Sequence, residues 1–330
     1  MTRLGTARRS RCIRALGPVL ATAVALAVGP VGQATAQGFP SKPLRIVVGP
    51  GSDVIMRAVA QKMSATLGQQ VVVEQLPGAG GVIAAQTVAK AAADGHTLLA
   101  STSSFAINDV LRTDGTVKLL RDFEPVGLIA VGPGLLFANA ALGAATLPEF
   151  VALTIAKPDS MNCASSGNGT PLHLGCEMLR TYGKADVRHV PYAGVGPAII
   201  DLMAGRVHIM FALLSASYIQ EPRIRVLAVT SKSRYAPVPN VPTVAEAGLP
   251  QLEQFRGWNG VHAPKGTPKT AVDRLNAELV KAVAEVDVKE KIAFAGLDPA
   301  AGSVDAFAAF VKDDIERWSK VVADTGAKPD

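Results

Sequence analysis

An α/β architecture follows from three features of the 330-residue sequence: short apolar or β-branched runs, helical patterns at three- and four-residue spacing that alternate with them, and Gly-, Pro- and Ser-rich turns in between. Such alternation predicts parallel sheets covered by helices. A hydrophobic content of 48% over this length is enough for two separate cores, and it excludes intrinsic disorder.

The elements follow in order. Residues 44–48 are an apolar run that ends in Gly49-Pro50-Gly51-Ser52, and Asp53 then opens a helical pattern through Val54, Ala58, Val59, Met63 and Leu67. Residues 71–73 read as a second strand, Pro77-Gly78-Ala79-Gly80-Gly81 as a turn, 82–91 as a helix and 96–100 as a strand after Asp94-Gly95. Further on, 148–156 is helical and 161–164 a strand. Residues 170–181 form a helix with Thr170 as N-cap and Pro171 in its first turn. A strand at 187–190, a helix at 198–204 and strands at 207–211 and 225–230 continue the pattern. The C-terminal part is helical, over 268–286, 288–294 and 304–322. In the last of these Phe307, Phe310, Val311, Ile315, Trp318 and Val322 form a packing stripe.

Residues 1–36 read as a secretory leader: Arg3, Arg8, Arg9, Arg11 and Arg14 with no acid, an apolar stretch over 15–31, and Ala34-Thr35-Ala36 as a small-x-small cleavage site. A membrane anchor is the competing reading, but Gly17, Pro18, Gly29 and Pro30 break the stretch short of spanning length. Five of the 33 basic residues lie in this segment, so the formal charge of +6 belongs mostly to it and the remainder is nearly neutral. That argues against a nucleic-acid partner, which needs clustered Lys and Arg.

The catalytic signatures are absent: no GxSxG elbow, no Walker lysine, and Gly78-Ala79-Gly80-Gly81 is not GxGxxG. The histidines lack metal-ligand spacing, so neither a metal nor another cofactor is expected. Cys163 and Cys176 either pair or stay as packed thiols; two cysteines are no disulfide framework. A dyad of Cys163 with His173 or His189 is disfavoured by the apolar run around Cys163. Asp201, with no evident carboxylate mate, reads as either a solvated or a helix-face charge.

Three polar segments follow predicted strands: Gly49-Pro50-Gly51-Ser52-Asp53, Ser101-Thr102-Ser103-Ser104 and Ser165-Ser166-Gly167-Asn168-Gly169-Thr170. Ligands of open α/β sheets bind beyond the carboxyl ends of strands. Hydroxyls, glycines and the N–H groups of a helix start suit a carboxylate without a fixed positive charge. The same residue types also make ordinary caps and turns. Three such segments together favour a site.

The chain resembles the solute receptors of the tripartite tricarboxylate transporters, the Bug receptor family, along nearly all its length after the leader. The resemblance rests on Phe39-Pro40-Ser41-Lys42-Pro43-Leu44-Arg45-Ile46-Val47-Val48, Val71-Val72-Val73-Glu74 with the following Pro77–Gly81 turn, Ala92-Ala93-Asp94-Gly95-His96-Thr97-Leu98-Leu99, the 164–170 segment, Val190-Pro191-Tyr192, Leu227-Ala228-Val229-Thr230 and Val241-Pro242-Thr243-Val244-Ala245-Glu246-Ala247-Gly248. It implies a two-domain periplasmic binding protein of the Venus flytrap type. Domain 1 would be 38–138 closed by 258–330, domain 2 would be 139–257, and the ligand would lie in the cleft. The implied function is a monomeric, non-enzymatic periplasmic receptor that takes a small carboxylate to the large and small membrane subunits of the transporter. A ligand sensor signalling to a membrane partner is the alternative. The implied ligand-binding positions are Gly51, Ser52, Ser101, Ser103, Ser165, Ser166, Asn168, Thr170, Tyr192 and Ala212. Two departures stand out. The first loop is about three residues shorter than the family's Pro-x-Gly-Gly-x-x-Asp, and Ala212, after a strand expected to end at Phe211, replaces the usual Asp.

Overall fold

The computed structural model describes residues 38–49, 53–76, 79–112, 117–213 and 216–328. The leader, Gly51 and Ser52 lie outside them. The strands are β1 (Leu44–Val48), β2 (Val71–Gln75), β3 (Thr97–Thr102), β4 (Phe123–Asn139), β5 (Met161–Ser165), β6 (Val187–Pro191), β7 (Ile209–Leu213), β8 (Ile224–Val229), β9 (Arg256–Pro264) and β10 (Asp298–Pro299). The helices are α1 (Asp53–Leu67), α2 (Val82–Ala89), α3 (Ser103–Leu111), α4 (Leu119–Asp122), α5 (Leu147–Ala156), α6 (Pro171–Tyr182), α7 (Val195–Met203), α8 (Ala216–Ile219), α9 (Lys269–Ala284), α10 (Val286–Phe294) and α11 (Val304–Thr325).

The strands are hydrogen-bonded in the order β2-β1-β3-β9-β4-β7-β5-β6, with β8 and β10 also paired to β4. β4 belongs to two halves of this sheet. From Phe123 to Pro133 it runs antiparallel to β9, in the half that holds β1, β2 and β3. From Gly134 onward it pairs with β7 and β8, in the half that holds β5 and β6. These halves are the sheets of a first and a second lobe, and one buried apolar cluster runs through both. The expected parallel pairing holds for β1–β3 and β5–β7, whereas β4, β8, β9 and β10 pair antiparallel. A strand that passes from one sheet into another meets its neighbours in whichever direction they run, and only pairs built by helical crossovers must be parallel.

Helix formation follows the apolar stripes. α1 buries Ile55, Met56, Val59, Ala60, Met63 and Leu67 against β2, α9 and α10. α6 starts as the Thr170-Pro171 pair predicts: the Thr170 hydroxyl accepts from the His173 backbone N–H. α11 buries Phe307, Val311, Trp318 and Val321 and touches α3, β4 and α6, so one helix serves both lobes. Inside it the fully buried Asp314 accepts from the indole N–H groups of Trp258 at 2.8 Å and Trp318 at 3.1 Å. It also pairs with Arg256 and Arg317. A buried carboxylate is costly unless its oxygens are satisfied, and these four donors from β9 and α11 satisfy it.

Candidate functional site

The second lobe presents the segment between β5 and α6. Gly167 and Gly169 have φ of 121° and 71°, which side chains with a Cβ rarely adopt. These two positions let the chain double back so that Ser165 Oγ takes the Gly167 N–H at 3.1 Å and lies within hydrogen-bond reach of the Gly167 carbonyl. The Thr170 hydroxyl donates to the same carbonyl at 2.6 Å. Ser165 is buried, and its Oγ also lies 2.7 Å from Nε2 of His189. Ser166 and Asn168 are half-buried, at the entrance to α6.

Beneath this segment Cys163 and Cys176 form a disulfide that ties β5 to α6. That settles the pairing the sequence leaves open and removes any thiol for a dyad with His173 or His189. The two imidazoles stack on each other instead, with centroids 4.4 Å apart. Tyr192 joins the same edge through its backbone N–H, which donates to the Ser165 carbonyl. Its hydroxyl donates to Asp201 at 2.7 Å. Partial burial and then the Asp201 carboxylate push the Tyr192 phenol up to about 12. Asp201 is thus not a bare solvated charge: Arg206 and Tyr192 hold it below its ordinary range.

The first lobe contributes α3 and the turn before α2. The Ser101–Ser104 stretch is not a loop. β3 runs through Thr102 and α3 begins at Ser103, because the stretch pairs with Asn259 and Gly260 of β9, a partner strand that no local pattern announces. Ser101 is consequently buried, with its Oγ 2.7 Å from Nδ1 of His262. Complete burial pushes His262 down to about 3, so the ring is neutral. Ser103 is buried as the first residue of α3. Ala212 likewise lies inside β7, opposite Leu135, since that strand continues to Leu213 instead of ending at Phe211.

The two lobes meet at Asn108. Its amide nitrogen lies 3.4 Å from the Gly80 carbonyl in the first lobe. A Cβ on Gly169 of the second lobe would stand 3.1 Å from its Oδ1. Sequence reasoning misses Asn108 because α3 itself is not predicted; the available signal is a polar residue between Phe105, Ile107 and Leu111 on an apolar stretch. The 165–170 segment, Tyr192 and Asn108 are thereby gathered in one neighbourhood. Ser101 and Ser165 are turned inward as supports. Among the described residues no group of three His, Cys, Asp or Glu side chains is placed to hold a metal ion, and no helix is long and apolar enough to cross a membrane.

Two α/β lobes joined by shared strands, with polar segments at the carboxyl ends of parallel strands, define the class of two-domain periplasmic binding proteins. Comparison makes this particular. Residues 55–327 match the family profile described as the tripartite tricarboxylate transporter family receptor, and the chain belongs to that family. Protein BugT of Bordetella pertussis is 34% identical over 327 residues, covering 97% of this chain and 98% of its own. An R. palustris protein solved with adipate superposes with a TM-score of 0.81 at 31% identity, covering 88% of this chain and 99% of its own. MatC from Rhodopseudomonas palustris with bound malate gives a TM-score of 0.79 at 32% identity, covering 86% and 100%. The protein is a solute-binding receptor and not an enzyme.

Proposed function

We propose that this chain is an extracytoplasmic receptor that closes around a small carboxylated organic acid and presents it to the large and small membrane subunits of a tripartite tricarboxylate transporter. In this reading it acts in the periplasm as a monomer, after removal of residues 1–36. Lobe one comprises 38–138 with 258–330, and lobe two comprises 139–257. The observation that carries the reading is the segment entering α6, where two left-handed glycines, a capping threonine and half-buried Ser166 and Asn168 gather neutral donors at a helix N-terminus. Such an arrangement favours an anion through oriented N–H groups and the helix dipole, with no fixed cation required. Malate and adipate, the molecules solved with two relatives, are both dicarboxylates and support the same ligand class.

Ser166, Asn168, Thr170 and Tyr192 form the second-lobe wall in this proposal, with Ser103 from the first lobe; Gly51 and Ser52, outside the described residues, are assigned to the same site. Ser101, Ser165 and Ala212, each enclosed in its strand, belong to the same proposed site as supports and not as exposed donors. Isothermal titration calorimetry against mono-, di- and tricarboxylates and nicotinate-like aromatic acids is the test. Saturable one-to-one binding of at least one acid is expected; heats no larger than dilution for the whole panel would sink the proposal.

A further inference from the structure

We propose that His189 and His173 are positioning residues for the 165–170 segment: a stacked imidazole pair that clamps it from behind in its ligand-binding conformation. The inference rests on the reading of that segment as the carboxylate site. His189 is in register with Cys163 across the parallel β5–β6 pair. Ser165 is two residues along from Cys163 and so shares its face. α6 covers this face, fixed by the Cys163–Cys176 disulfide, and brings the His173 ring to 4.4 Å from that of His189 at an interplanar angle of 25°.

Hydrogen bonds couple both rings to the segment. Ser165 Oγ offers one hydrogen and two lone pairs. It accepts the Gly167 N–H at 3.1 Å and lies within hydrogen-bond reach of both the Gly167 carbonyl and, at 2.7 Å, Nε2 of His189. In either direction a single hydrogen bond joins Ser165 Oγ to His189 Nε2. His173 Nδ1 accepts the Gly169 N–H at 3.3 Å, so its hydrogen is on Nε2. The two clamped amides, Gly167 and Gly169, are alternate residues. Between and before them stand Ser166 and Asn168, whose side chains remain half-buried at the entrance to α6. Tying alternate residues inward sets the direction of those between them.

The experiment measures amide hydrogen exchange of residues 165–170 in the ligand-free mature chain, followed by titration with malate and adipate. His189→Ala and His173→Ala are expected to speed exchange at Gly167 and Gly169 while β1–β3 keep their protection. Affinity for whichever acid binds should fall by about tenfold or more, since buried polar groups lose a partner. His189→Gln keeps an amide that can donate to or accept from Ser165 and should restore both readouts, which a purely space-filling role would not predict. Unchanged exchange in both alanine variants overturns the clamp. Faster exchange with affinity unchanged also overturns it as a binding device. If the wild type binds neither acid nor any other carboxylate, the functional reading has failed by itself, and the exchange result still decides whether the imidazoles hold the segment.

Discussion

Ser166 and Asn168 have half-buried side chains at the entrance to α6, whereas Ser165 is enclosed. Ser166→Ala and Asn168→Ala should each weaken carboxylate binding by about 1–3 kcal/mol, the cost of leaving a ligand oxygen short of a donor. For Ser166→Ala the thermal stability of the empty protein should change little. Paired melting and calorimetry check this, and a stability loss without an affinity loss would remove these residues from the site. His262 makes a different forecast. Its folded value is pushed down to about 3 by burial, against about 6.5 in the unfolded chain. Below about pH 6.5 the unfolded state takes up a proton that the folded state refuses, so stability falls as pH drops toward 3, by up to about 1.4 kcal/mol per pH unit. His262→Gln, which keeps a polar partner for Ser101, should narrow the difference in melting temperature between pH 7 and pH 5. An unchanged difference would assign the acid sensitivity to other groups.

At the scale of elements, the disulfide is the feature whose contribution is most separable. It joins β5 to α6 across a sequence separation of 13, and loops of that size stabilise by about 2–4 kcal/mol when cross-linked. The Cys163→Ala/Cys176→Ala variant should lose about that much in denaturant unfolding; a loss below about 0.5 kcal/mol would mean that packing of α6 alone suffices. The elements legible in the sequence were those whose signals are local: α1, α6 and α11 by their stripes and caps, and β1, β2, β5 and β6 by their β-branched or apolar runs. β4 and β9 were not legible. β4 contains Pro125, Gly127, Gly132, Pro133 and Gly134, which read as turn residues, and its register with β9 shifts at Pro125/Gly127 and at Leu128/Ala130. In β9, a Cβ on Gly257 would stand 2.4 Å from Leu213 and one on Gly260 2.4 Å from Phe307. Those glycines answer to tertiary neighbours, and local propensity carries no record of them. The candidate site divided the same way: Thr170 announced itself by its cap, whereas Asn108 and His189 acquire their roles only when distant strands and helices assemble.

At the scale of the molecule, residues 39–330 form one compact unit even though the sheet has two halves. Thr230 shows how the halves are tied where the chain passes between them. Its Oγ1 accepts the Gly134 N–H at 2.7 Å, at the point where β4 changes partners, and donates to the Phe255 carbonyl at 2.7 Å, immediately before β9. One buried hydroxyl thus joins both crossing strands. α11 reinforces the junction, with Arg317 donating to the Gln254 carbonyl and to Asp314, and with Tyr182 of the second lobe donating to Asp324 at 2.8 Å. Elements shared by both lobes couple their unfolding, so a single calorimetric transition is expected of the wild type. Thr230→Val preserves shape but strands the Gly134 N–H and the Phe255 carbonyl, a loss of about 1–3 kcal/mol. Because the lost bonds lie at the junction, the variant should also broaden the transition or divide it, whereas Ser166→Ala should leave its shape unchanged. A Thr230→Val protein that unfolds in one sharp transition at the wild-type temperature would show that β4 and α11 couple the lobes without this hydroxyl.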